Sequence, residues 1–223
     1  MEDRKTEILE KMAFWEHLTE DEKRKTIEGA KFVTYPAGSR VYSPSRECLG
    51  TAIIEKGVLR AYLLSDEGKD VTIYRIRKGD VCVLAASCAL SAVTFDVEID
   101  AETDSEILLI PASVFSVLTE KNIYVENFAY KIATERFSSV VEVLQQMLFM
   151  SLMQRIAAFL IDESAELHDE KIHMTHEEIA RAIGSAREAV SRTLKQMTKE
   201  GYISLFRGGI QIENKNALYE LLS

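Results

Sequence analysis

The sequence has few cysteines, and none of them lies in a metal-binding pattern. Its 223 residues include Cys48, Cys82 and Cys88, too few for a disulfide framework in a chain of this size. No CxxC pair occurs, and no cysteine–histidine cluster has the spacing of a zinc site. An iron–sulfur cluster needs four thiolates, one more than the chain contains. We therefore expect no metal and no resident cofactor.

Long hydrophobic runs are also missing. No stretch of about eighteen apolar residues occurs, so no transmembrane helix is expected. The charged N-terminus leads into no apolar signal core, which predicts a cytoplasmic protein without a membrane partner. The net charge of −9 argues at first against nucleic acid. However, Lys171 to Lys215 holds eight basic and five acidic residues, which suits a protein that touches DNA at one end only.

The segment from Thr175 to Leu194 predicts two short helices joined at Gly184. Thr175 and Glu178 have the spacing of a capping box, which satisfies the free amides at the start of a helix. Gly184 stands where the first helix would end in the left-handed conformation. Ser185 is then the expected N-cap of the second helix. This pattern predicts a helix-turn-helix.

The second helix leaves four polar side chains for solvent, namely Arg187, Glu188, Ser191 and Arg192. Arginine reads guanine O6 and N7, and glutamate accepts a hydrogen bond from the cytosine amino group. The face therefore suits the major groove of DNA. Downstream, Tyr202–Phe206 and Ile210–Ile212 flank Arg207-Gly208-Gly209 and predict a hairpin. A hairpin directly after a recognition helix makes a winged helix-turn-helix.

Upstream, the pattern changes twice. Residues 7 to 28 are predicted to be helical, with a second capping box at Thr19-Glu20-Asp21-Glu22. From Ala30 to Ile110, short apolar or alternating runs separated by turns predict an antiparallel barrel or jelly roll. Ile123 to about Met150 reads as one helix with an apolar spacing close to a coiled-coil repeat. Ser151 to Ser164 is expected to continue as a helix.

The long helix is roughly twice the mean length and contains no breaker. We therefore expect it to pack against a copy of itself in a two-fold dimer. The predicted fold class is α+β, with an effector domain at residues 1–118, a dimerisation helix at 119–150 and a winged helix-turn-helix at 151–223. No nucleophile or metal-ligand spacing accompanies the histidines, so no enzyme is predicted. An interaction module in which the helix-turn-helix only packs is the alternative.

This order of elements resembles the Crp/Fnr family of bacterial transcription regulators. The most specific part runs from Glu178 through Gly184 to Arg187–Leu194, which is similar to the family's signature, and the resemblance covers essentially the whole chain. It implies a cyclic-nucleotide-binding-like jelly roll (a double-stranded β-helix) and a homodimer on a pseudo-palindromic operator in double-stranded DNA. It also implies control by a signal in the N-terminal domain, and it leaves contact with RNA polymerase open.

The resemblance assigns roles to particular residues. Four of them match positions that read bases in the catabolite-activator branch or in the fumarate-nitrate branch of the family, namely Arg187, Glu188, Ser191 and Arg192. Because both sets are present, the DNA half-site cannot be assigned to either branch. Four others match phosphate contacts, which position the protein without specifying sequence: Thr175, Ser185, Lys195 and Arg207.

The sensory domain departs from the cyclic-nucleotide pattern of the family. A buried phosphate calls for Gly-Glu followed by Arg-Ser or Arg-Thr, because it needs a paired cation and donors. Here Gly79-Asp80 is followed by no arginine through Ile110. Val140-Val141 stand where the catabolite activator has a Thr-Ser pair. Cyclic AMP and cyclic GMP are therefore not the expected effectors.

Three hypotheses for the signal remain open. The first is a small apolar or aromatic effector near Leu84, Phe95, Val140, Val141 and Leu144. The second is a thiol switch at Cys82 and Cys88, for which a disulfide would need a bent loop. The third is that the domain binds no effector.

Overall fold

A computed structural model describes residues 2–44, 49–68, 70–83 and 97–222. The chain forms two compact units, the first made of Met1–Leu64 with Ile73–Val140 and the second of Ser65–Thr72 with Val141–Ser223. Across the described ranges, no helix combines the length and apolar character needed to cross a bilayer.

Helices and short strands alternate along the chain. The N-terminal elements are α1 (Glu2–Leu9), a 3-10 turn (Trp15–His17) and α2 (Glu20–Gly29). The strands that follow are β1 (Lys31–Tyr35), β2 (Arg40–Tyr42), β3 (Gly50–Lys56), β4 (Leu59–Leu64), β5 (Asp70–Ile76), β6 (Val81–Cys82), β7 (Glu98–Ala101) and β8 (Ser105–Pro111). Next come α3 (Ala112–Lys121), α4 (Ile123–Phe149), α5 (Leu152–Leu167), β9 (Lys171–Ile172), α6 (His176–Ile183), α7 (Arg187–Lys199), β10 (Ile203–Phe206), β11 (Gly209–Ile212) and α8 (Lys215–Glu220).

The first eight strands form two four-stranded sheets with the orders β1-β8-β3-β6 and β2-β7-β4-β5. Their inner faces share one core, in which Ile54 and Ile107 of the first sheet meet Leu59 and Ile99 of the second. Strand β8 pairs antiparallel with both β1 and β3. Two packed antiparallel sheets with these crossovers confirm the predicted jelly roll and the mixed helix–strand fold.

Strands β3 and β8 are buried on both faces. Ile54 and Ile107 point into the sandwich, while Ile53 and Leu108 pack in a second cluster with α1 and the helices that follow the strands. This double burial explains why these strands read in the sequence as continuous apolar runs rather than alternating ones.

The second unit has a core of its own. Residues from α5, α6, α7 and the three-stranded sheet β10-β11-β9 pack together, among them Leu160, Ile179, Leu194 and Ile210. The small sheet and the two helices of the motif form the winged helix-turn-helix that the sequence predicts. The strand β9 was not predicted from the sequence.

Two helix predictions need correction. Residues 7 to 28 are not one helical stretch, because α1 ends at Leu9 and α2 begins at Glu20. The predicted Thr19 capping box is present and starts the second of these helices. The chain also does not run on from α4 as one helix. Ser151 is the N-cap of α5 and forms a capping box with Gln154.

Candidate nucleic-acid interface and sensory site

The helix-turn-helix is held by the local contacts that the sequence predicts. Thr175 Oγ1 accepts a hydrogen bond from the amide of Glu178 at 3.2 Å, and the Glu178 carboxylate accepts one from the Thr175 amide at 2.6 Å. Gly184 ends α6 with φ +62°. Arg155 of α5 donates from Nη1 to the carbonyl of Ile183 at 2.9 Å. Together these contacts fix where α6 starts and stops.

Ser185 is not the N-cap of the second helix. That position belongs to Ala186, whose side chain makes no capping hydrogen bond, and α7 begins at Arg187. The reason lies in the turn, because the Ser185 amide donates to the carbonyl of Ala180 at 2.9 Å. Ser185 is thereby tied to the end of α6 and cannot take the extended position that starts α7.

Helix α7 separates a buried side from a polar side. Val190, Leu194 and Met197 are buried in the core of the second unit. The four predicted base-reading side chains line one open concavity of about 620 Å³, namely Arg187, Glu188, Ser191 and Arg192. Among the described residues neither arginine forms an ion pair with Glu188. Their donors and its acceptor therefore remain available for base edges.

Two cations of α7, Arg187 and Lys195, act on His176 at the start of α6. Burial, and after it the charges of Arg187 and Lys195, lower the pKa of His176. The histidine is half-buried at the first position of α6. The lowered pKa favours the neutral imidazole, so the histidine adds little positive charge beside these two cations.

The four predicted phosphate contacts have different settings. Lys195 is exposed on α7, and Arg207 is exposed in the turn of the wing. Ser185 is half-buried in the turn between the helices. Thr175 is exposed, but its hydroxyl already donates to Glu178 at 2.7 Å, so a phosphate would compete with that carboxylate.

The wing is tighter than the sequence suggests. Phe206 pairs directly with Gly209, so the turn contains only Arg207 and Gly208 rather than three residues. Gly208 has φ +84°, a conformation that two-residue hairpin turns require and that glycine adopts readily. Arg207 therefore stands at the tip of the hairpin.

The predicted effector residues are only partly placed. Leu84, Phe95, Cys48 and Cys88 lie outside the described residues. Val140 packs against the core of the sandwich. Val141 is half-buried, and Leu144 is 53% exposed on α4. Cys82 is a core residue of the sandwich with 2% exposure.

Sequence reasoning missed a cation beside the sandwich core. The guanidinium of Arg136 lies over the ring of Tyr74, 4.9 Å from its centroid. A signal for this placement exists, because Ile132, Arg136 and Val140 are spaced four residues apart and share one side of the helix. Ile132 and Val140 both pack against the first unit's core clusters. An arginine between two such positions predicts a cation at the barrel.

Comparison with known proteins agrees with this architecture. Residues 32–122 match the model of the cyclic nucleotide-binding domain, and residues 154–221 match the model of the Crp-like helix-turn-helix domain. The structure of a protein assigned to the Crp/Fnr family of transcriptional regulators, from Eubacterium rectale, is 32% identical with a TM-score of 0.89. The alignment covers 94% of this chain and 97% of that one.

Two other relatives are more distant or matched over a shorter stretch. FixK2 from Bradyrhizobium japonicum is 18% identical with a TM-score of 0.71 and covers 87% of this chain and 98% of its own, which shows a shared fold. Transcriptional regulator SdrP from Thermus thermophilus is 37% identical over 76 residues. That match spans 31% of this chain and 38% of the length of the curated relative.

Proposed function

Because the chain belongs to the Crp/Fnr family of transcriptional regulators, we propose that it binds a pseudo-palindromic DNA operator as a homodimer. We further propose that a signal other than a cyclic nucleotide, received in the jelly roll, controls this binding. The members of the family are regulators rather than enzymes.

The observation that carries DNA recognition is the polar face of α7. Arg187, Glu188, Ser191 and Arg192 surround one concavity on a helix whose other side is buried. A helix of this kind fits the major groove, where arginine and glutamate distinguish a G·C pair in either orientation. Lys195, Ser185, Thr175 and Arg207 flank this face and are proposed to hold the backbone.

The homodimer is supported by the exposed side of α4. Ile123, Tyr130, Phe137 and Leu144 recur every seven residues, and each is between 42% and 58% exposed. Leu148, four residues after Leu144, is 65% exposed. A seven-residue apolar repeat on one helix forms a seam against a second helix, and a copy of the same chain gives a self-complementary two-fold contact.

The non-cyclic-nucleotide signal is supported by the sequence after Gly79-Asp80. No arginine occurs from there through Ile110, so the phosphate-binding Arg-Ser or Arg-Thr pair is missing from its expected place. The alternative thiol switch would use Cys82 and Cys88, of which the structure describes Cys82. Its 2% exposure disfavours attack by a solvent oxidant, because reactive thiols are normally accessible.

Selection from random DNA by the purified protein tests the proposal. We expect an inverted repeat, bound by a species with the mass of a dimer. Arg192→Ala should lower the ratio of operator to random-DNA affinity by roughly 10- to 100-fold, as expected for one bidentate base contact. Lys199→Ala serves as the matched control, because Lys199 is an exposed cation at the far end of the same helix.

A second variant separates base reading from backbone contact. Lys195→Ala should weaken binding to all sequences alike and reduce the slope of log affinity against log salt by about 1. An unchanged sequence preference in Arg192→Ala, or a parent protein that binds no duplex at low salt as a monomer, would contradict the proposal.

A further inference from the structure

The wing narrows to a tip that carries one charged side chain. Because Phe206 pairs with Gly209, the turn between β10 and β11 contains only two residues. They are Arg207 and Gly208, and no other charged residue occurs in either strand of the hairpin. The end of the wing is therefore two backbone strands, roughly 4.8 Å apart, with a single guanidinium beyond them.

The hairpin projects away from the core of the second unit. At its base, Ile203 and Ile212 are buried together with Met197 of α7. Toward the tip, the exposed fraction rises to 36% for Leu205 and 37% for Phe206. Four residues in each strand span about 13 Å. When a recognition helix occupies the major groove, the neighbouring minor groove lies half a helical turn away, roughly 17 Å. The hairpin and the arginine side chain at its end can together cover that distance.

The ring of Phe206 anchors the tip. It lies across Gly209, where an added Cβ would come 2.3 Å from Cζ of the ring. The same ring packs against the ring of His173, with centroids 5.3 Å apart and planes at 73°. An aromatic ring over a cross-strand glycine helps to fix the register of a hairpin. Arg207 therefore extends from an ordered turn, which lowers the entropy cost of placing it against a ligand.

The sides of the wing are apolar rather than polar. Leu205 and Phe206 offer no side-chain donors, whereas contacts to phosphate oxygens use cationic, hydroxyl, amide or backbone N–H groups. The acid nearest to Arg207 in sequence is Glu213, whose carboxylate accepts a hydrogen bond from Ser204 Oγ at 2.6 Å. One cation between apolar sides fits the minor groove, which proteins occupy with arginine and with apolar side chains.

We propose that the wing inserts Arg207 into the minor groove beside each half-site and thereby selects A·T-rich flanking DNA. A·T tracts have a narrow minor groove with enhanced negative potential, which attracts arginine. A G·C pair places the 2-amino group of guanine in the same groove, where it opposes a guanidinium donor. The inference rests on the proposed DNA binding, and it adds a dependence on groove shape to a residue otherwise proposed to hold the backbone.

The test uses the operator selected from random DNA and changes only the base pairs that flank it. Three flanks are compared at constant half-site sequence, namely A·T, G·C and inosine·cytosine. Inosine lacks the 2-amino group of guanine, so its pair with cytosine keeps the major-groove edge of G·C but has no minor-groove donor. We expect the full-length protein to bind the A·T and inosine·cytosine flanks about fivefold more tightly than the G·C flank in fluorescence anisotropy at fixed salt.

Variants at the tip separate groove reading from backbone contact. Arg207→Ala should lose the flank preference while it keeps the preference for the selected half-sites. Arg207→Lys should retain only part of the flank preference, because an ammonium is more strongly hydrated than a guanidinium. Lys195→Ala is the control for a backbone contact, and it should weaken binding to all three duplexes equally without changing the flank preference.

Phe206 is a positioning residue in this scheme, and its variants test the anchoring of the tip. Phe206→Ala should lower the flank preference and leave the half-site preference unchanged. Phe206→Tyr keeps the ring over Gly209 and should retain the flank preference. Equal flank preferences in the parent and Phe206→Ala would refute the anchoring role.

Three results would overturn the inference about Arg207. They are equal affinity of the parent for A·T and G·C flanks, a flank preference that survives in Arg207→Ala, and inosine·cytosine flanks that bind as weakly as G·C flanks. The second would assign Arg207 to phosphate alone, and the third would place the preference in the major groove. Each of these leaves the proposed function intact, because it is measured on an operator that the protein selects. A parent protein that selects no operator would refute both proposals.

Discussion

Replacing Gly184 by alanine tests how the helix-turn-helix is held. With φ +62°, this residue is left-handed, which costs a residue with a Cβ about 1–2 kcal/mol. A Cβ here would also lie 2.5 Å from Cε of Met147 and 3.0 Å from Cγ1 of Val71. The methionine tip can move, but the branched valine is stiffer. We expect a total loss of about 2–3 kcal/mol, since modest overpacking adds to the backbone strain.

Gly201 provides the matched control. It also has a left-handed φ, of +77°, but a Cβ there would meet nothing within 4 Å. Gly201→Ala should therefore cost only the backbone part, about 1–2 kcal/mol. Adding Met147→Ala to Gly184→Ala should restore part of the difference, because it removes the nearest atom.

The assay must report on the second unit alone. The chain has one tryptophan, Trp15, which is buried in the first unit. Hydrogen exchange of the α6 and α7 amides gives the opening free energy of the second unit, while Trp15 fluorescence should show unchanged unfolding of the first. Equal losses of opening free energy in Gly184→Ala and Gly201→Ala would refute the claim that the Cβ contacts at Gly184 are destabilising. No loss in either variant would refute the claim that the left-handed backbone is costly for alanine.

Other predictions follow from single contacts. Phe137→Glu should place a charge in the apolar seam of α4 and shift the protein to monomer in sedimentation, and an unchanged mass would refute the seam. Burial and the charges of Arg187 and Lys195 lower the pKa of His176 in the folded protein. The stability that depends on the neutral imidazole is therefore fully present above the ordinary histidine pKa. It is lost as the pH falls through the lowered pKa of the folded state. His176→Gln should flatten the acid-side fall in α6 protection between about pH 7 and pH 5. Thr175→Ala should lower the stability of the second unit by about 1 kcal/mol in hydrogen exchange, since the capping box is lost.

Local signals in the sequence were the most reliable. The capping boxes at Thr19 and Thr175 and the left-handed Gly184 are confirmed, because each depends on residues within four positions. The break at Ser151 was missed, since the apolar pattern continues through it and hides the capping residues. The prediction that Ser185 is the N-cap of α7 was wrong, because its amide donates a hydrogen bond to the carbonyl of Ala180 on the preceding helix.

Contacts between distant segments could not be read from the pattern. Tyr74 and Arg136 are 62 positions apart, and only the packing of α4 against the sandwich brings the guanidinium over the ring. The base-reading residues could be proposed from spacing alone, because Arg187 to Arg192 lie on a single helix. A site that is built on one helix is visible in a sequence, whereas a site between a strand and a helix depends on the tertiary fold.

The double burial of β8 constrains the synthesis of this protein. Ile107 to Ile110 is an uncharged run with a high propensity for strand formation. In the folded protein, pairing with β1 and β3 on either side keeps this run from aggregating. Both partners leave the ribosome long before β8 does, so a nascent chain halted before residue 105 exposes two unpaired strand edges. Stalled or truncated products of this length should aggregate or recruit chaperones, while chains that have released β8 can close the sandwich.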